Sequence, residues 1–154
     1  MSPRAAWRLE SLGFPTVYDY VAGKVDWLAN GLPSDGTATT QPRAGTIARR
    51  DVPTCRLTDT VGTVRQQIEG TGWEMCVVVN DERVVLGLVA KDALPADPKM
   101  SVEDVMESGP STWRLDGSLG DIAKYMERHS VTAVIISGSD GRLYGAVRHE
   151  DIPK

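Results

Sequence analysis

The thiol and imidazole side chains, which serve as nucleophiles, general bases and metal ligands, are two cysteines and two histidines in this sequence. Cys55 and Cys76 both fall in stretches predicted to be buried strands, which favours free thiols packed as small apolar residues over a disulfide or a metal site. His129 and His149 are the only histidines, and no cluster of Cys, His, Asp or Glu has the spacing of metal ligands. We therefore predict no metal site and assign no catalytic residue.

Composition and charge argue against several classes of function. The chain has 154 residues, of which 41% are hydrophobic, and a formal charge of −4 with a pI near 5.2. This balance gives no general attraction to nucleic acid or to an acidic membrane surface. A local basic stretch, Arg43, Arg49 and Arg50, is interpreted as part of a solvated linker rather than as a binding patch. No apolar run approaches the roughly 20 residues needed to span a bilayer, so we expect a cytoplasmic protein.

An internal repeat supplies the elements that position the remaining polar side chains. Residues 54–94 match residues 112–152 without a gap, at a constant offset of 58 positions. Apolar residues keep the same phase in both copies. The identical pairs are Thr54/Thr112, Arg56/Arg114, Leu57/Leu115, Gly62/Gly120, Glu69/Glu127, Gly87/Gly145 and Val89/Val147. A repeat that cannot bury its apolar face alone usually packs against its twin, which predicts a pseudo-twofold pair with a crevice between the copies.

Each copy predicts the order strand, helix, strand, strand, short helix, and therefore an α/β fold. Thr60 and Ser118 are placed to N-cap the longer helix of each copy. The second strand is a continuous apolar run, which indicates burial on both faces. The predicted strands cover 54–57, 75–79 and 84–90 in the first copy and 112–115, 133–136 and 143–148 in the second. A helix at about 101–106 connects the copies.

Residues 1–36 predict a small fragment with a helix, a strand and a second helix. Helical spacing of apolar residues indicates a helix over 3–12, and the pattern predicts a strand over 17–21 and a helix over 24–30. A piece of this size cannot bury an adequate core alone. We therefore expect it to dock on the rest of the chain or on a second subunit, with Trp7 and Trp27 as docking residues.

Two motifs in the repeat carry a family resemblance. One is Val105-Met106 followed by Gly109-Pro110-Ser111-Thr112; the other is Gly145-Ala146-Val147-Arg148-His149-Glu150-Asp151-Ile152. With the element order, they make residues 52–154 resemble two cystathionine-β-synthase (CBS) domains in tandem, a Bateman module. The resemblance implies that the crevice between the copies binds an adenine nucleotide or a related adenosyl ligand. Many members of the family bind nothing and serve as assembly surfaces.

The resemblance implies a ligand site in the second copy. The implied residues are Ser111, Thr112, Trp113 and Ala133 for the adenine base, Asp151 for the ribose hydroxyls, and Arg148 or His149 for a phosphate. The first copy has Ala93 and Ala90 at the positions of Asp151 and Arg148, which predicts a weaker site there. Structural roles stay open for the second copy: Asp151 could cap the last helix, Arg148 could be solvated on an edge strand, and Trp113 could pack in the core.

The N-terminal fragment is similar to a different family. Its motifs are Arg4-Ala5-Ala6, Leu12-Gly13-Phe14, Val17-Tyr18-Asp19-Tyr20, Gly23-Lys24, Asp26-Trp27-Leu28 and Gly31-Leu32-Pro33. Their order resembles the C-terminal half of rhodanese-like domains, in which the first of these helices follows the loop that carries the nucleophilic cysteine. That loop is missing from this sequence, and sulfur transfer needs its thiolate. The resemblance therefore implies a partial, inactive segment.

Together these observations predict an α/β chain with a partial rhodanese-like segment at 1–36, a linker at 37–51, and CBS motifs at 52–99 and 100–154. We expect a non-catalytic regulatory or sensing module that binds AMP, ADP, ATP or S-adenosylmethionine and forms a homodimer through its CBS helices. Two alternatives stay open. One is a ligand-free structural or oligomerisation module, which Ala90 and Ala93 support. The other is a fragment of a rhodanese-like sulfurtransferase whose upstream half is missing.

Overall fold

Two small β-sheets, one from each copy of the repeat, form the centre of the computed structural model, which describes residues 3–29, 32–33, 42–95 and 97–153. The helices and strands in these ranges are α1 (Pro3–Ser11), α2 (Gly23–Ala29), α3 (Ala44–Ile47), β1 (Thr54–Cys55), α4 (Val61–Ile68), β2 (Met75–Val79), β3 (Val85–Ala90), α5 (Val102–Val105), β4 (Glu107–Ser108), β5 (Thr112–Arg114), α6 (Leu119–His129), β6 (Ala133–Ser137) and β7 (Leu143–Arg148). Single 3₁₀ turns follow β3 at Lys91–Ala93 and β7 at His149–Asp151. The predicted α/β class is confirmed.

The two copies pair their strands in the same way. β1 lies parallel to β2, which lies antiparallel to β3, and β5, β6 and β7 repeat this arrangement. The registers are also equivalent: Cys76 lies opposite Val89 in the first sheet, and Val134 lies opposite Val147 in the second. The offset of 58 residues therefore describes the three-dimensional structure as well as the sequence.

The helices α4 and α6 each cover the outer face of one sheet. Their apolar residues are buried, namely Val61, Val64, Ile68, Leu119, Ile122 and Met126. Thr60 Oγ1 accepts a hydrogen bond from the Thr63 amide at 3.4 Å, as predicted, whereas Ser118 makes no such capping bond. The exposed positions of both helices carry glycine or polar residues. The exposed faces of α4 and α6 thus offer little apolar surface to a second subunit, and the homodimer through the CBS helices stays a prediction.

The inner faces of the two sheets pack against each other. Their shared core contains Val52, Trp73, Met75, Val77, Val79, Ile135, Leu143 and Ala146, all of them buried. Met75–Val79 is buried along its whole length, as the continuous apolar run predicted, because α4 covers one face and the second sheet covers the other. The pseudo-twofold pair predicted from the repeat is thus closed by apolar packing over most of its interface.

The connecting segments are exchanged between the copies. Helix α3 precedes the first copy but packs on the second: the Ala44 amide donates to the Gly117 carbonyl at 3.0 Å, and Arg49 and Ala146 exchange backbone hydrogen bonds of 2.8 and 2.9 Å. Helix α5 and strand β4 precede the second copy, and β4 pairs with β3 of the first. The prediction of a linker over 37–51 is therefore wrong where the structure describes a packed helix.

This exchange explains two of the glycines that the copies share. A Cβ at Gly145 would overlap the carbonyl oxygen of Arg49, and a Cβ at Gly87 would lie 2.5 Å from the sulfur of Met106. Both glycines stand where the exchanged segment crosses the sheet edge at close range. At Gly145 the nearest atom is a backbone oxygen, whereas at Gly87 it is a methionine sulfur, with the Glu107 carbonyl oxygen at 3.1 Å.

The N-terminal fragment differs from its prediction in the middle. Helices α1 and α2 are present, but residues 16–20 form no strand, so the predicted helix, strand, helix order is wrong. Tyr18 and Val21 are exposed to 84% and 93%, and this stretch has no strand partner in the described ranges. Trp7 is 70% exposed and does not dock on its own chain, so its docking on a second subunit stays a prediction, whereas Trp27 Nε1 donates to the Pro33 carbonyl at 2.8 Å.

Cys55 and Cys76 are buried, as predicted, and both are free thiols in the core beneath α4. The neighbouring Cys55 thiol and burial both raise the pKa of Cys76 far above its usual range, so this thiol stays protonated. Of the helices that the structure describes, none is long and apolar enough to cross a membrane.

Candidate ligand-binding site

A cavity of about 920 Å³ opens between the two copies, at one end of the packed sheets. Its walls come from equivalent segments: residues 72–75 with 130–133, and residues 90–92 with 148–150. Strand register explains why these segments meet, since Met75 lies opposite Ala90 and Ala133 lies opposite Arg148. The cavity therefore lies where each sheet's second strand begins and its third strand ends.

The structure brings some of the predicted site residues together. Ala133, Arg148 and His149 line the cavity, and Asp151 follows two residues after His149, in the same 3₁₀ turn. Ser111, Thr112 and Trp113 do not line it. Thr112 Oγ1 accepts a hydrogen bond from Ser137 Oγ at 2.9 Å, and the Trp113 ring packs edge-on against Tyr125 with centroids 5.7 Å apart. Trp113 packs against the core beneath α6, and the assignment of Ser111, Thr112 and Trp113 to the adenine base stays a prediction.

Trp73 is a site residue that the sequence reasoning missed. Its side chain is only 2% exposed, and the guanidinium carbon of Arg148 lies 4.0 Å from the ring centroid. The guanidinium carbon of Arg49 lies 5.6 Å from the same centroid. The repeat contained a signal, because the residue equivalent to Trp73 in the second copy is Val131. A large aromatic residue in one copy alone marks a position where the copies have different neighbours.

Arg148 is a packed side chain. Only 14% of it is exposed, its Nη1 donates to Glu150 Oε1 at 3.0 Å, and its Nη2 donates to the Thr71 carbonyl at 3.5 Å. These contacts exclude the alternative of a solvated arginine on an edge strand. The stack on Trp73 is a cation–π contact, which is strongest when, as here, little water competes for the cation.

Arg49 brings the exchanged segment to the same place. It forms a bidentate pair with Asp51 at 2.7 and 3.2 Å. The hydrogen bond and charge of Arg49 lower the pKa of Asp51, while Asp51 raises the pKa of Arg49, with smaller contributions from Asp151 and Glu150. Arg50 lies over the Tyr144 ring at 4.6 Å. Two of the three arginines interpreted as solvated linker residues therefore pack on aromatic rings.

Two buried polar atoms, one on a residue that lines the cavity and one on the residue after Glu150, have no hydrogen-bond partner in the described part of the chain. They are Nε1 of Trp73 and Oδ2 of Asp151. Buried polar atoms in native proteins are nearly always paired, so an unpaired donor and an unpaired acceptor at one site call for a cause. Asp151 is the third residue of its turn and does not cap it. The capping role left open for Asp151 is therefore excluded.

The first copy contributes different side chains. Ala90 lines the cavity where Arg148 lies in the second copy, and Ala93 takes the place of Asp151. Asp92 and Lys91 line the cavity and are exposed. No group of three or more His, Cys, Asp or Glu side chains in the described ranges could hold a metal ion. The cavity is therefore symmetric in its backbone and asymmetric in its chemistry.

Solved structures of low sequence identity share this fold. The cytosolic domain of the Mg²⁺ channel MgtE in complex with ATP has a TM-score of 0.67 at 22% identity, over 72% of this chain and 47% of that one. CBSX2 of Arabidopsis thaliana in complex with AMP has a TM-score of 0.66 at 16% identity, over 72% and 92% of the two chains. The CBS domain pair of MJ0100, in complex with 5′-methylthioadenosine and S-adenosylmethionine, has a TM-score of 0.64 at 17% identity, over 73% and 93%. This chain thus spans about half of the MgtE chain that it matches.

A search of curated proteins returned no match to this sequence. The model of the CBS-domain family matches twice, at residues 44–95 and 102–153, which differ by the same offset as the repeat. Both matches begin at the helix that is exchanged between the copies, ten residues before the repeat recognised in the sequence. The chain therefore belongs to the CBS-domain family and carries two copies of the domain in tandem.

Proposed function

We propose that this chain is a regulatory module that binds an adenosyl ligand in the cavity between its two CBS copies. The cavity volume of about 920 Å³ is in the range of small-molecule sites, roughly 300 to 1,000 Å³. Apolar side chains of Met75, Leu88 and Val131 line it beside charged ones, so one part suits a purine and another suits polar substituents. The ligands present in the similar structures, ATP, AMP, 5′-methylthioadenosine and S-adenosylmethionine, support an adenosyl compound.

The observation that carries this proposal is the pair of unpartnered buried atoms. Trp73 Nε1 can only donate a hydrogen bond, and an ionised Asp151 carboxylate can only accept one. A ligand with ring nitrogens and ribose hydroxyls offers both an acceptor and donors. Hydrogen bonds from the ligand to both groups would favour binding, because each unpaired buried group destabilises the ligand-free protein by about 1 to 3 kcal/mol. Arg148 and His149 are proposed to contact the remainder of the ligand.

Titration calorimetry of the whole chain with AMP, ADP, ATP, 5′-methylthioadenosine and S-adenosylmethionine tests the proposal. Asp151→Asn should weaken binding of the best ligand by about tenfold or more, since hydrogen bonds to a charged group contribute about 1.5 to 3 kcal/mol. Asp121→Asn is the matched control, because Asp121 is an exposed residue of α6 away from the cavity, and it should leave the affinity unchanged. Absence of heat with every compound would refute the proposal and favour a ligand-free structural module.

We further propose that the module is non-catalytic and that it works as a homodimer. The exposed apolar side chains of the N-terminal fragment, Trp7, Leu12, Phe14, Tyr18 and Val21, give this proposal a different basis from α4 and α6. Contiguous apolar side chains on a surface often mark a contact with another protein. Static light scattering at micromolar concentrations should give twice the mass of the chain, and a monomeric mass at every concentration would contradict the dimer.

A further inference from the structure

The charges around the cavity are predominantly negative. Of the residues that line it, three are carboxylates, Glu74, Asp92 and Glu150, and two are permanent cations, Lys91 and Arg148. With His149 neutral, the lining carries a net charge of −1. Outside the lining, the carboxylates of Asp51 and Asp151 both interact electrostatically with Arg49. The site as a whole therefore presents more negative than positive charge to a ligand.

The more buried of the two lining cations is already paired with a carboxylate. Arg148 donates to Glu150 Oε1 at 3.0 Å, and its guanidinium carbon lies 4.0 Å from the Trp73 ring centroid. A phosphate that binds this guanidinium would lie close to the Glu150 carboxylate, and the two negative charges would repel each other. The first copy has Ala90 at the equivalent position, and its lining cation, Lys91, is an exposed residue followed directly by the Asp92 carboxylate. Arg49 is likewise held by Asp51 in a bidentate pair.

We propose that the cavity selects among adenosyl ligands by charge, and that it takes an uncharged or cationic adenosyl compound in preference to an adenosine polyphosphate. This inference rests on the proposed function, because it concerns the same cavity and names the class of ligand. The carboxylates of Glu74, Asp92 and Glu150 repel a triphosphate and attract a cationic group. The apolar and aromatic part of the lining remains available to the adenine in every case.

Calorimetric titration at one fixed ionic strength compares ATP, AMP, 5′-methylthioadenosine and S-adenosylmethionine on the whole chain. 5′-Methylthioadenosine and S-adenosylmethionine should each bind about tenfold or more tightly than ATP, and AMP should have an intermediate affinity. One repulsive pair of like charges near a protein surface can raise a dissociation constant by at least that factor. The charge order is informative because all four compounds share the adenosine group that the cavity would recognise.

The variant Glu150→Gln separates charge from shape. It removes one carboxylate from the cavity and releases the Arg148 guanidinium, so the affinity for ATP should rise while that for 5′-methylthioadenosine changes little. Glu127→Gln, at an exposed position of α6 outside the cavity, should alter neither affinity. The charge inference is overturned if the unaltered chain binds ATP more tightly than the other compounds. It is also overturned if the difference in affinity between ATP and 5′-methylthioadenosine is the same in Glu150→Gln as in the unaltered chain. Either result leaves the proposed function intact. Absence of binding heat with all four compounds overturns both the charge inference and the proposed function.

Discussion

At the scale of single residues, the two copies agree in their cores and differ at the cavity. The buried pairs Val64/Ile122 and Val78/Ile136 exchange one apolar side chain for another, because each must fill the same space beneath a helix. At the cavity the pairs are Trp73/Val131 and Ala90/Arg148. Both substitutions change size, the second also changes charge, and the larger partners contact each other. Trp73 and Arg148 thus form one contact across the pseudo-twofold axis that has no counterpart on the other side.

Arg148→Ala should destabilise the protein although it removes a charged residue. It makes this position identical to Ala90 and takes away the guanidinium that covers the Trp73 ring, with an expected loss of about 1 to 2 kcal/mol in the free energy of unfolding. Arg142→Ala is the matched control, because Arg142 is 58% exposed and lies 3.6 Å from Asp140. It should change the free energy by less than about 0.5 kcal/mol. Urea titration of both variants measures this, and equal effects would show that the stack on Trp73 adds nothing.

At the scale of elements, the exchanged segments decide both the sheet edges and the composition of the site. Arg49 pairs with Ala146 of the second copy, and at the equivalent positions Glu107 pairs with Leu88 of the first. The third strand of each sheet therefore pairs with the segment that precedes the other copy. This pairing covers an edge of the sheet that would otherwise expose unpaired backbone groups.

Gly145→Ala should break this edge. The added methyl group would overlap the Arg49 carbonyl, which is backbone and cannot swing away, so we expect a loss of about 2 kcal/mol or more in the free energy of unfolding. Gly120→Ala is the control. Gly120 lies in α6, where an added Cβ meets nothing closer than Ser118 Oγ at 3.8 Å, and it should stabilise by about 0.5 to 1 kcal/mol. Thermal unfolding compares the two. Equal stability of both variants would mean that the exchanged segment does not bind this edge.

Elements that depend on a local residue pattern could be predicted from the sequence. Elements that depend on the exchange of segments between the copies could not. The spacing of Val61, Val64 and Ile68 requires a helix with one buried face, and the apolar run at 75–79 requires a strand buried on both faces. Helix α3 has a buried Ala44 and Gly45 but only four residues, too few to show a period. The strand expected at 17–21 failed because β propensity needs a partner strand, which this stretch lacks in the described structure.

The same exchange explains why the sequence analysis missed part of the cavity region. Arg49 and Val52, from the segment that precedes the first copy, approach the second copy: Arg49 interacts with Asp151, and Val52 lies in the same buried core as Ala146. By contrast Ala133, Arg148 and His149 come from the sheet of their own copy, and the structure places them at the cavity. The sequence pattern identified the cavity residues that belong to the second copy's own sheet. It did not identify those that come from the exchanged segment, because their position depends on the path of the chain between the copies.

At the scale of the whole molecule, neither copy holds a complete core of its own. Ala44, from the segment that precedes the first copy, is fully buried in the core beneath α6, and Val102, from the segment that precedes the second, is fully buried in the core beneath α4. The core between the sheets takes residues from both copies. Because buried apolar area is shared in this way, opening either copy exposes part of the other.

Unfolding of residues 42–153 should therefore occur in one cooperative transition. Backbone amides at equivalent positions in β2 and β6, such as Val78 and Ile136, report on each copy separately by two-dimensional NMR, and both native signals should vanish over the same range of urea. The variant Val52→Ala should lower the free energy of unfolding by about 1 to 2 kcal/mol and move both curves together to lower urea concentration. The reason is that Val52 lies in the core that the copies share. Two separate curves in the unaltered chain, or a shift confined to one copy in the variant, would show that each CBS copy is stable without its twin. A single curve requires that the pair is the folding unit, which also means that the cavity between the copies exists only while both are folded.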